Sequence, residues 1–251
     1  MLFAAMLILG GLIGFVGAGG AGVTIALLTA GFGVPIHTAL AVALASMVFT
    51  MISGTISHLR EGEVVVKTGA IFGAGGVVGA LVGAEFAGTL SSGILHYLTG
   101  LMLFISSLLL FAKLYHNDIM ERYFPARSEP LVGKKLYMYG IICGLINGFL
   151  SGAFGIGAAS FIQITLMVVF GVPILQAIGT CMMIVLPISA AGSLAYFFNG
   201  YLDLSIFIQT FLGQTIGAFI GAKFTHIVPS NILKVAIVLL PMTGALTLLL
   251  E

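Results

Sequence analysis

Apolar residues run through this chain in blocks long enough to cross a bilayer, interrupted by glycines and a few short polar turns. Residues 36–59, about 65–87 and 93–113 are each near the roughly 20 residues that span a bilayer as a helix. The stretch before Pro35 differs, because residues 2–16 and 23–32 are both shorter and Gly17, Gly19, Gly20 and Gly22 interrupt them. The pattern predicts two half-helices meeting at a glycine-rich break, with the same again at Gly152 to Ala159. Irregular backbone at membrane depth survives only where protein or a wet cavity satisfies its N–H and C=O groups.

The pattern also repeats. Gly14, Gly17 and Gly19 align with Gly152, Gly155 and Gly157, and Phe32-Gly33-Val34-Pro35-Ile36 aligns with Phe170-Gly171-Val172-Pro173-Ile174 in the same register. Gly54 meets Gly192, Gly62 meets Gly200, and Gly75, Gly79 and Gly83 meet Gly213, Gly217 and Gly221, all without a gap. Such self-similarity decides the architecture. Residues 1–113 and 139–251 read as two copies of one unit, with 114–138 as an extramembrane, cytoplasmic linker. The expected fold is an all-α polytopic membrane protein, each unit holding one glycine-broken helix and three transmembrane helices.

Positive charges orient the copies. If the broken element is re-entrant, entering and leaving on one face, the second copy is inverted relative to the first. Arg60, Lys67, Lys113, Arg122, Arg127, Lys134, Lys135, Lys223 and Lys234 then share one face, and these are all 9 basic residues. A continuous span over residues 2–32 would instead put Lys223 and Lys234 opposite the rest. The positive-inside rule favours the inverted arrangement, in the cytoplasmic membrane with both termini outside the cytoplasm.

Composition narrows the function. Only 7% of residues are charged and mean hydropathy is +1.22, which excludes a soluble domain. A net charge of +1 leaves no basic face for nucleic acid. The two cysteines, Cys143 and Cys181, sit in apolar segments and suggest neither a disulfide framework nor a metal site. No cofactor is expected. The partners are the lipid bilayer and a small solute, with a homo-oligomer left open.

Transporters built from inverted repeats place their sites where interrupted helices meet near the midplane. A half-helix starting near Thr24 or Phe161 would aim unpaired amides and roughly half a positive charge at that point. Two such starts suit an anion without any buried Lys or Arg, and Gly17, Gly19, Gly20, Gly22, Gly155 and Gly157 would let the backbone approach it closely. Hydroxyls on the next helix, Ser46 and Thr50 among them, are available to complete the coordination. Gln163, one turn past the second break, is the best polar side chain for it. The four-residue spacing of Gly75, Gly79 and Gly83, and of Gly213, Gly217 and Gly221, reads instead as helix packing. An enzyme is not expected: Ser151 is a conceivable nucleophile, but no histidine precedes His226 in its copy.

The paired signature, Gly14-Phe15-Val16-Gly17-Ala18-Gly19-Gly20-Ala21-Gly22 leading to Gly33-Val34-Pro35 and Gly152-Ala153-Phe154-Gly155-Ile156-Gly157 leading to Gly171-Val172-Pro173, resembles the TauE/SafE sulfite exporter family. The resemblance implies a transporter of small sulfur-containing anions such as sulfite and organosulfonates. A helix opening with Gly-Thr-Ser is common in that family. Here it is Gly179-Thr180-Cys181, whereas the first copy has Ala41-Val42 in the equivalent place, so the two half-sites are unequal. Export is the favoured direction; a passive small-anion channel and a proton-coupled importer of sulfonates or thiosulfate are the alternatives.

Overall fold

The computed structural model describes residues 1–16, 20–115, 131, 133–156, 158–224 and 230–250. These residues are helical, with no strand among them. Helix α1 spans Leu2–Val16, and α2 spans Gly20–Ala26 and continues as a wider π-helical turn over Leu27–Gly31. Then come α3 (Ile36–Arg60), α4 (Val66–Thr89), α5 (Ser92–Tyr115), α6 (Gly133–Phe154), α7 (Ala159–Val168), α8 (Ile174–Phe198), α9 (Leu204–Phe224) and α10 (Ser230–Leu250). Five of them, α3, α4, α5, α6 and α8, are long and apolar enough to cross a membrane. Residues 116–130 and 132 of the expected linker lie outside the described residues. Helix α6 starts at Gly133, so the boundary read at 138 and 139 falls within a helix.

Helix bounds keep the register of the repeat. Helices α3 and α8 begin at Ile36 and Ile174, α4 and α9 at Val66 and Leu204, and α5 and α10 at Ser92 and Ser230, always the same distance apart. The turns agree as well. Gly33 and Gly171 both take positive φ, 64° and 66°, just before Pro35 and Pro173, which set the entry of α3 and α8. After α3, Gly62 (φ 74°) lets Glu63 N–H reach the His58 carbonyl; after α8, Gly200 (φ 76°) lets Tyr201 N–H reach that of Tyr196, each at 2.9 Å. Both are left-handed glycine caps that satisfy otherwise orphan helix carbonyls.

Glycines also set how closely the helices pack. On α4, Gly75, Gly79 and Gly83 lie directly on the backbone of Ile141, Leu145 and Phe149 of α6. Gly213 and Gly217 of α9 lie on Phe3, Leu7 and Gly11 of α1. In both pairs the residue numbers rise together, so the helices run parallel. Side chains of any size would hold these backbones apart. Helix α3 meets α8 the other way round: Leu44 faces Gly192, Gly54 faces Met182 and His58 faces Gly179, so the two run antiparallel. The core centres on α3, where Leu40, Ala41, Val42 and Leu44 are all fully buried.

Candidate functional site

The second break follows α6 because Gly155, at φ 63°, turns the chain while its amide donates to the Ser151 carbonyl at 2.8 Å. Ala158 then sits at φ 47°, the one non-glycine among the described residues with positive φ. A side chain there is strained. Helix α7 starts immediately after it. Gly155 has no room for a side chain, because it rests on Leu40 of α3 and Ile25 of α2. The second break therefore packs against the broken helix of the other half.

Helix α5 touches both. Its Leu103 fills the space above Gly22 in α2, and one turn on, Ser106 Oγ donates to Ser160 Oγ at the start of α7 across 3.1 Å. Both half-helices thus begin abreast of the middle of α5, away from its ends. Helix α8 supplies Cys181, a buried residue whose thiol donates to the Ala159 carbonyl at 3.4 Å.

In the first break, Gly17 and Gly19 lie outside the described residues, as does Gly157 in the second. Helix α2 starts at Gly20 and α7 at Ala159, earlier than the expected starts near Thr24 and Phe161. Small residues explain the shift: Gly20, Ala21 and Gly22 fit as helix beneath Ile13 and Leu103, where larger side chains would not. Thr24 accordingly sits one turn inside. Its hydroxyl donates to the Gly20 carbonyl at 2.7 Å and accepts from Gln214 Nε2 of α9 at 2.6 Å.

The remaining expected residues spread out. Ser46 is buried, and its hydroxyl has no hydrogen-bond partner among the described residues. Thr50 is exposed and donates to the Met47 carbonyl at 2.8 Å. Gln163 is half-buried on α7. Gly179 and Thr180 lie at the far end of the interior, under the turn joining α3 to α4. There Gly179 faces the Glu63 carbonyl and His58, and the Thr180 hydroxyl accepts the Val65 amide at 2.9 Å. The structure thus brings Gly20, Gly22, Thr24, Gly155 and Cys181 near the two half-helix starts and leaves Thr50, Gly179 and Thr180 apart.

Charge stays at the ends. His58 Nδ1 lies 2.8 Å from Glu63 and 3.9 Å from Glu61. His58, Glu61 and Glu63 thus gather their ligand atoms at the turn between α3 and α4, at one end of the molecule. At the opposite end, His37 bonds the Ala87 carbonyl through Nε2 at 3.0 Å and stacks on Tyr201, while Asp203 caps α9 by accepting the Ser205 and Ile206 amides. No Lys, Arg, Asp or Glu lies in α2 or α7. Any charge selectivity at the breaks must come from main-chain amides and neutral side chains, and amides at a helix start favour an anion.

Two clefts open on the flanks. One, of about 440 Å³, lies between α1, α2 and α10 and is lined by residues such as Ile8, Leu12, Leu27 and Thr247; the other, of about 320 Å³, lies between α4 and α6. Neither is lined by an expected site residue.

The sequence reading did not place Ser106, Ser160 or Ala158 in the site. A hydroxyl in the apolar run of α5 and another one position past the second break were the available signals. Nothing in the sequence marks Gln214 as the partner of Thr24.

The description "Sulfite exporter TauE/SafE" belongs to the family model that matches residues 2–248. The chain is 41% identical over 249 residues to "Probable membrane transporter protein YdhB" of Bacillus subtilis (strain 168), covering 99% of each. It is 26% identical over 215 residues to "Probable membrane transporter protein YunE" of the same organism, covering 81% of this chain and 79% of that one. No solved structure matches. With buried, charge-free broken helices and a family match over nearly its whole length, the chain is a multi-pass membrane transporter that belongs to the TauE/SafE sulfite exporter family.

Proposed function

We propose that this protein carries a small sulfur-containing oxyanion, sulfite or an organosulfonate, across the cytoplasmic membrane. The chain through α5 and the chain from α6 onward act as two units of inverted topology joined by a cytoplasmic segment, with both termini outside. The observation that carries this reading is the opposed run of α3 and α8. These helices occupy equivalent places in the repeat, yet Leu44 faces Gly192 while His58 faces Gly179. Equivalent helices that run antiparallel are what inverted units produce. The two half-helices start where α5 reaches both, so their amides converge on one region and hold the anion there with help from hydroxyls.

The membrane potential favours export. With the cytoplasm negative, moving one negative charge outward gains about 2.3 kcal/mol per 100 mV, so efflux needs no coupling ion. The test is flux of labelled sulfite from proteoliposomes under an imposed potential. Saturable efflux that quickens as the lumen is made more negative supports the reading, and flux equal to that of protein-free liposomes refutes it. Single-channel recording separates a carrier, which shows no unitary current, from a pore.

A further inference from the structure

Equivalent places around the two breaks differ in the polar groups they carry. Around the second break, Asn147, Ser151, Ser160, Cys181 and Ser189 are all more than nine-tenths buried. At the equivalent places in the first half stand Leu9, Ile13, Gly22, Ala43 and Met51, none of them polar. Asn147, Ser160 and Cys181 have partners within the protein, namely the Cys143 carbonyl, Ser106 and the Ala159 carbonyl. Ser151 and Ser189 are different: each is fully buried, and the hydroxyl of each has no partner among the described residues.

Their positions converge. Ser151 lies in the last turn of α6, and its carbonyl holds the Gly155 amide that makes the turn. Ser189 lies on α8 three residues before Gly192, on the same helix face, and Gly192 comes against Gly152 of α6 and Leu44 of α3. A buried hydroxyl without a partner destabilises the protein that holds it. Two of them beside one strained, charge-free turn, with apolar residues at both equivalent places, point to a ligand.

We propose that Ser151 and Ser189 donate hydrogen bonds to the oxygens of the transported anion, two hydroxyls with no counterpart at the equivalent places of the first half, and so help select an SO3-type group. This rests on the transport reading above. Three acceptor oxygens on a sulfite or sulfonate head accommodate both hydroxyls together with amides at the start of α7. A halide, with a single acceptor centre and no oxygens to orient, benefits little from them.

The test compares thermal stabilisation of purified protein by sulfite and by sulfoacetate, with chloride as control, in wild type, Ser151→Ala and Ser189→Ala. Each alanine variant is expected to melt at the same or a higher temperature without ligand, since it loses an unpartnered hydroxyl. Each is also expected to bind sulfite about 10-fold more weakly. Ser151→Thr restores the response, and Ile13→Val and Met51→Leu leave it unchanged. Alanine variants that respond to sulfite as fully as wild type overturn the hydroxyl assignment while leaving the transport reading in place. A wild type that no sulfur oxyanion stabilises overturns both.

Discussion

The amide of Val65 donates to the hydroxyl of Thr180 across 2.9 Å, tying the entrance of α4 to the second turn of α8. Helix starts leave such amides without intrahelical partners, and a side-chain oxygen from another helix serves as the cap. Thr180→Val removes the acceptor and is predicted to cost about 1 kcal/mol, a fall of about 2–4 °C in melting temperature for a chain of this size. Thr180→Ser is predicted to keep the wild-type value. Equal melting of the valine and serine variants would show that the bond contributes nothing.

Close helix crossings make a sharper prediction. Gly79 lies on the Leu145 carbonyl of α6, and Gly148 lies on the Gly76 carbonyl of α4, so a methyl at either place meets backbone that cannot rotate away. Gly79→Ala and Gly148→Ala are each predicted to destabilise by about 1–3 kcal/mol. Gly93→Ala, in a helix with nothing among the described residues within 4 Å, is predicted to be harmless. Melting curves of the three proteins in one detergent decide it, and a loss at Gly93 as large as at Gly79 would refute the packing account.

Backbone strain at the second break carries opposite signs at neighbouring positions. Ala158, at φ 47°, is predicted to gain about 1 kcal/mol of stability on replacement by glycine, which enters that region freely. Gly155→Ala is predicted to lose more than that, since its methyl would strike Leu40 in addition to the left-handed penalty. Thermal unfolding that moves in the same direction for both would contradict this geometry.

The two hairpin turns offer a test of the repeat itself. His58 and Glu63 stand where the other half has Tyr196 and Tyr201, on backbones with matching glycine caps. His58→Tyr together with Glu63→Tyr transplants one pair into the frame of the other. The double variant is predicted to fold and to lie within about 1 kcal/mol of wild type, as a partly exposed side-chain pair of this kind contributes little. Failure to insert or to migrate as a monodisperse species would mean that the turns are not interchangeable.

Much of the fold was legible because bilayers and glycines leave blunt marks. The spans at 36–59 and 93–113 correspond to α3 and α5, and the glycines aligned as Gly33 with Gly171 and Gly62 with Gly200 all proved to need positive φ. The packing role read for Gly75, Gly79 and Gly83 is seen directly at the α4–α6 crossing. The site was less legible. Thr180 looked like a ligand by its place in a motif, but its hydroxyl is held by Val65, a contact between residues distant in sequence that only the docking of a turn on α8 creates. Thr24 was expected at a helix start and lies one turn within, because three small residues before it tolerate helical packing against Leu103. Ser106 stood out only as a hydroxyl in an apolar run, since nothing local to α5 says that this helix lies across both breaks.

The most direct test of the account is a cryo-EM map of the protein with bound sulfite. It predicts density for one anion between the start of α7 and the Gly20–Thr24 segment of α2, within hydrogen-bonding reach of main-chain amides at Ala158 to Ser160. Density for the anion only in a flank cleft, or half-helices that run on unbroken from one face to the other, would contradict it.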